Sequence, residues 1–142
     1  NNVTYKRFDL SVLLRSALGF KAVNANRIFH ENRTSFPSSN VFRSAFDTPL
    51  NDAPLFSDYY LENGSYLKID NVTLGYSIPL KGNSHLKKLR VSATAMNLFT
   101  ITGFSGMDPE LGINTFNYPG IEQNSNYYPR TRSFTFGVAA DF

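Results

Sequence analysis

Arg130-Thr131-Arg132-Ser133-Phe134-Thr135-Phe136-Gly137-Val138-Ala139-Ala140-Asp141-Phe142 is the stretch on which the reading of this sequence turns. Every second residue from Phe134 is apolar (Phe134, Phe136, Val138, Ala140, Phe142), and the residues between them are small or polar (Ser133, Thr135, Gly137, Ala139, Asp141). A period of two places these sets on opposite faces of a β-strand. The apolar set runs to the last residue, an aromatic one, which predicts a strand that closes or seals a sheet.

The remaining 129 positions carry the same signature. Among 142 residues there are 13 Phe and 8 Tyr, with no Trp and no Cys. Aromatic and β-branched residues interleaved with Asn, Ser and Thr favour strands and turns. The absence of cysteine excludes a disulfide framework, a zinc–thiolate cluster and a thiol nucleophile. The net charge of +3 does not gather into a phosphate-binding surface; the densest basic group is Lys87-Lys88 with Arg90, which excludes nucleic acid as a partner. Asn1-Asn2-Val3-Thr4 is polar and leads into a strand rather than a signal peptide. No run approaches the roughly 20 apolar residues of a membrane helix, but a membrane strand needs only about 9–11 alternating residues.

Working outward, four long strands are predicted, at about 5–20, 66–79, 88–102 and 130–142. In the first, Phe8, Leu10, Val12, Leu14, Leu18 and Phe20 share one face, interrupted by Ser16, and Asp9, Ser11, Arg15, Ala17 and Gly19 share the other with Leu13 as the exception. In the second, Val72, Leu74, Tyr76 and Ile78 alternate with Thr73, Gly75 and Ser77, but Leu67 and Ile69 stand in the opposite phase. A slip near Asp70 and Asn71 is what a β-bulge produces. The third has Leu89, Val91, Ala93, Ala95, Phe99 and Ile101 opposite Arg90, Ser92, Thr94, Thr100 and Thr102, disturbed around Asn97. Segments 21–65 and 103–129 are long loops; a small hairpin between 57–61 and 66–70 is expected around Asn63-Gly64.

Long loops alternate with one short turn, and the strands exceed the usual five or six residues. Transmembrane β-barrels show this asymmetry, with short turns on one rim, long loops on the other, and charges kept off the lipid face. Four strands cannot close a barrel, and an open edge in hydrocarbon leaves backbone groups unpaired. The expectation is an all-β fold: the last four antiparallel strands of a larger barrel. The rival is a soluble β-sandwich that binds carbohydrate.

Specific motifs favour the barrel. Tyr5-Lys6-Arg7-Phe8-Asp9-Leu10-Ser11, then Gly64-Ser65-Tyr66-Leu67-Lys68-Ile69-Asp70-Asn71-Val72-Thr73-Leu74-Gly75-Tyr76, follow one another in order. Next come Asn97-Leu98-Phe99-Thr100-Ile101-Thr102-Gly103-Phe104-Ser105-Gly106-Met107-Asp108-Pro109-Glu110 and the segment 128–142. Together they resemble the C-terminal end of the SusC/RagA family of TonB-linked outer-membrane proteins. The resemblance implies the end of a 22-stranded transmembrane β-barrel that imports glycans or peptides across the outer membrane of a Gram-negative, Bacteroidota-like bacterium. It further implies no enzymatic activity and no cofactor. The partners it implies are a SusD-like surface lipoprotein, the TonB complex engaged through N-terminal parts that this sequence lacks, the barrel-assembly machinery and outer-membrane lipid. In such a protein Phe134, Phe136, Val138 and Phe142 would form the assembly signal, an alternating aromatic edge suited to capture by strand addition.

Other chemistry is weaker. His30 and His85 lack acidic neighbours at metal-ligand spacing, so no metal site is expected. Asp108 and Glu110 flank Pro109; a turn held by an Asx interaction is favoured over a hydrolytic acid/base pair. In the long loops Phe116, Tyr118, Tyr127 and Tyr128 are candidate contacts for a ligand or lid, since aromatics with a polar tip suit interfaces.

Overall fold

Strict alternation of apolar and polar residues builds one sheet in the computed structural model, which describes residues 1–80, 82, 85–110, 120–121 and 130–142. Its strands are β1 (Asn2–Tyr5), β2 (Phe8–Ala17), β5 (Tyr66–Ile78), β6 (Lys88–Thr102) and β7 (Ser133–Asp141), in the order β1-β2-β5-β6-β7. The fold is all-β and antiparallel. Among the described residues the sheet has five strands where four were expected. The predicted strand at 5–20 is two strands: β1 pairs with β2 in the register Val3↔Leu10 and Tyr5↔Phe8, turning at Lys6 and Arg7 with Lys6 at φ 56°. No Gly or Asn marks this turn, yet the apolar phase shifts there from odd (Val3, Tyr5) to even (Phe8, Leu10), as a two-residue turn requires.

The two faces of the sheet differ sharply. Phe8 and Tyr76 meet on the apolar face with ring centroids 4.7 Å apart. On the same face of the β6–β7 ladder, Phe134 lies opposite Ala95, Phe136 opposite Ala93 and Val138 opposite Val91, so the large rings of β7 stand beside small residues. The other face carries the charged pairs, although Leu13, of the same parity as Asp9 and Arg15 in β2, is exposed on it too. Arg90 Nε donates to Asp9 Oδ1 at 3.0 Å, reaching from β6 to β2 across β5. Gly75 permits this, because a Cβ there would come within 2.2 Å of the Arg90 guanidinium and 2.4 Å of the Asp9 carboxylate.

The irregularity in β5 lies where the sequence places it. Arg15 and Asp9 are six residues apart on one strand and share a face; Arg15 holds Asp70, with Nε 2.8 Å from Oδ2. Gly75 shares the face of Asp9, and Thr73 Oγ1 meets Thr94 Oγ1 at 2.9 Å on that same face. Asp70 and Gly75 are therefore on one face although five residues apart, which a regular strand forbids. Asn71, whose Oδ1 accepts from Thr73, sits beside Asp70 on this side, so the phase slips between them as at a β-bulge. In β6 the disturbance coincides with Asn97, at φ 51°, whose side chain donates to the Thr131 carbonyl.

The long connections are not featureless. Residues Ala17–Tyr66 and Thr102–Pro129 gather into a second compact unit, apart from the one formed by Asn1–Ser16, Leu67–Ile101 and Arg130–Phe142. In the loop unit β3 (Lys21–Val23) pairs antiparallel with β4 (Leu61–Asn63), and α1 spans Ala25–His30. The hairpin expected between 57–61 and 66–70 does not form; Leu61 pairs with Val23, and Tyr66 opens β5. Ala22, Ala25, Ile28, Ala45, Tyr60, Tyr66 and Phe104 supply the buried apolar core of this unit.

Candidate functional site: an outward strand and a polar loop body

β7 presents the assembly-signal candidates together. Phe134, Phe136 and Val138 project from one face of the strand, with Phe136 83% and Val138 74% exposed, and Phe142, just past the strand end, is also exposed. Among the described residues β7 pairs with β6 alone, through a register running from Lys88↔Asp141 to Met96↔Ser133. Its other edge offers backbone donors and acceptors to a further strand. Phe116, Tyr118, Tyr127 and Tyr128 lie outside the described residues.

The loop unit holds a polar cluster that the sequence did not announce. It begins at Asn24, only 1% exposed, which caps α1 by accepting from the Arg27 amide through Oδ1 at 3.1 Å. An Asn at this position satisfies a backbone donor that the first turn leaves open. Asn24 Nδ2 donates to Glu62 Oε1 and Ser105 Oγ at 3.2 and 3.0 Å. Glu62 also receives the Ser105 amide at 2.7 Å, the Ser105 hydroxyl at 2.8 Å and Arg27 Nη1 at 2.9 Å. Arg27 Nε reaches Glu31 Oε2 at 2.6 Å, one helical turn on, and the guanidinium lies over the rings of Tyr59 and Tyr60 at 5.2 and 5.8 Å. One carboxylate thus ties β4 to α1 and to the chain after Phe104.

Burial alone would raise the Glu62 carboxyl, but the hydrogen bonds from Ser105, Arg27 and Asn24 together outweigh it and hold it below the ordinary value of 4.5. Burial likewise opposes the charge on Arg27, and Glu62 and Glu31 overcome it, leaving the guanidinium more firmly protonated. A carboxylate with a depressed folded-state pKa contributes stability that is present above its unfolded value and lost as pH falls through the folded one. Acidification from pH 6 to below about 4 should therefore loosen the loop unit first. Amide hydrogen exchange at Val23 and Asn24, bonded to Gly120 and Tyr60 carbonyls, would rise before exchange in the β6–β7 ladder.

The remaining sequence candidates have ordinary settings. Asp108 Oδ1 accepts the Glu110 amide at 2.9 Å, an Asx-type turn around Pro109. His30 Nδ1 lies 3.3 Å from the Asn40 carbonyl, and its ring is against Phe42. The Arg27–Glu31 spacing of four was a readable helix signal. Glu62 and Ser105, 35 and 78 positions beyond Arg27, were not readable as its neighbours, since only folding brings them together.

No protein-family model matches the sequence. Curated relatives do: the chain is 30% identical over its whole length to the TonB-dependent receptor SusC of Bacteroides thetaiotaomicron, covering 14% of that protein. It is 25% identical, again over its whole length, to a TonB-dependent receptor of Formosa agariphila, covering 16% of it. Among solved structures, 95% of the chain superposes on the RagAB peptide transporter with a TM-score of 0.77 at 26% identity. For the RagAB peptide importer in its open-open state the values are 98%, 0.80 and 25%. The chain spans 14–16% of the length of these proteins. Sequence and fold together mark it as a SusC/RagA-like C-terminal segment.

Proposed function

We propose that this chain forms barrel wall and outer loops of a TonB-dependent outer-membrane importer of glycans or peptides, without enzymatic activity, in a Gram-negative bacterium of the Bacteroidota. The observation that carries this reading is the sheet's one-sided chemistry. Val3, Tyr5, Phe8, Leu10, Leu14, Leu74, Phe134, Phe136 and Val138 are exposed on the apolar face, while Asp9, Arg15, Asp70 and Arg90 pair with one another on the other. An exposed apolar face of this extent is costly in water and favourable against lipid. Strand ends provide the rest: β7 would be the strand read by the barrel-assembly machinery, and a SusD-like lipoprotein and the TonB complex would act on the whole receptor.

The test is the location of the native protein. It should fractionate with the outer membrane and migrate as a heat-modifiable species. Recovery as a soluble, monodisperse protein with a cooperative melt in the absence of detergent would instead support a β-sandwich binding module. Deleting Phe142 from that native protein is expected to lower the amount of inserted, heat-modifiable species. Unchanged assembly would leave Phe142 no role beyond covering lipid.

A further inference from the structure

We propose that Asn63 is a latched site of self-modification: when the β3–β4 pair opens, the chain converts its own Asn63-Gly64 linkage to isoaspartate. No other asparagine of the sequence is followed by glycine. Asn63 ends β4, exposed and opposite Lys21, instead of forming the tight turn for which such a pair is suited.

The chemistry needs only these two residues and water. The Gly64 nitrogen gives up its proton and attacks Asn63 Cγ; the bond from Cγ to the side-chain nitrogen breaks, ammonia leaves, and a succinimide closes. Water then opens the ring at either carbonyl to give aspartate or isoaspartate, with no oxidant or reductant. Glycine in second place favours closure because it has no Cβ to obstruct the ring.

In the folded chain the electrophile is prepared and the nucleophile is withheld. Asn63 Oδ1 accepts the Ser65 amide at 3.0 Å, which draws charge from Cγ and would stabilise the oxyanion formed on attack. The Gly64 amide donates to the Phe20 carbonyl at 3.0 Å, which retains its proton and aims it at the chain before β3. Gly64 is buried; a Cβ there would come within 2.3 Å of the Phe20 ring, which stands edge-on to Tyr66 at 6.3 Å. The packing thus demands glycine at the position that makes Asn63 reactive. The bond from Ser65 is local and survives when β3 and β4 part, whereas the bond to Phe20 is lost with their pairing.

The two products have different consequences. Aspartate keeps the backbone and lies opposite Lys21, a favourable cross-strand pair. Isoaspartate lengthens the main chain by a methylene beside Glu62, whose carboxylate holds Asn24, Arg27 and Ser105. The Lys21↔Asn63 register is then lost, and an opening of the loop unit is recorded irreversibly. This chemistry does not depend on what the receptor transports, so either reading can fail alone.

The complete receptor, purified in detergent, would be incubated at neutral pH and Asn63 followed by peptide mass spectrometry that separates asparagine, aspartate and isoaspartate. The folded wild type should convert at least roughly tenfold more slowly than the same receptor unfolded in guanidinium, since reaction requires local opening. Across wild type, Glu62→Ala and Phe20→Ala, the rate should rise in step with hydrogen exchange at the β3 amides. The isoaspartate form, returned to native conditions, should keep fast exchange at Ala22 and Val23, and the aspartate form should remain protected there. Equal rates in folded and unfolded receptor would overturn the proposal, as would an unchanged rate in a variant whose β3 exchange has risen, or no conversion in guanidinium.

Discussion

Replacing Phe136 by arginine is expected to remove most of the heat-modifiable, outer-membrane-inserted protein, whereas Thr135→Arg, one residue away, should leave it near the wild-type level. Phe136 is the most exposed large apolar residue of β7 and lies opposite Ala93 on the apolar face. A guanidinium there would enter hydrocarbon, at a cost of about 2–4 kcal/mol near the bilayer midplane. Thr135 is paired with Thr94 on the face that carries the Asp9–Arg90 and Arg15–Asp70 pairs. An added charge on that side remains with polar groups and water. Neighbouring substitutions of the same chemistry should therefore differ in yield by a large factor, read by the shift between unheated and heated samples on a gel. Equal losses from both would contradict the assignment of lipid to the apolar face.

Glu62→Ala should unfold the loop unit while leaving the sheet formed. The carboxylate accepts four hydrogen bonds, from Asn24, Arg27 and twice from Ser105, and its side chain is 14% exposed. Removing it leaves the nearly buried Asn24 with one lost acceptor, and Arg27 with only Glu31 to balance it. Breaking a buried charged cluster from one side typically costs about 3–5 kcal/mol, and the free amide of Ser105 adds to that. Hydrogen exchange or limited proteolysis would read the change. Amides in β3 and at Asn24 should lose protection, those paired between Leu89 and Ala140 or Val91 and Val138 should keep it. Retained protection in β3 would mean that the apolar core around Ile28 and Tyr60 holds this unit without the polar cluster.

Much of the sheet could be read from the chain because a strand with one apolar face writes its geometry at a period of two. The phases of β5, β6 and β7 are in the residues themselves, and even the slip at Asp70 and Asn71 is visible as a change of parity. The β1–β2 turn left only a subtler mark, the parity change between Tyr5 and Phe8, because Lys6 takes the left-handed conformation without the Gly or Asn that usually announces it. In the segment 21–65 the alternation stops. There the fold follows contacts made across long stretches of chain, and β4 pairs with β3 rather than with the segment nearest to it.

The fold class and the two faces of the sheet were legible before folding was considered, since each depends on the order of apolar and polar side chains along one backbone. Folding alone brings Arg90 to Asp9 over Gly75 and gathers Asn24, Arg27 and Ser105 around Glu62. Those arrangements depend on which distant segments meet, and the burial that makes their hydrogen bonds strong exists only after they have met.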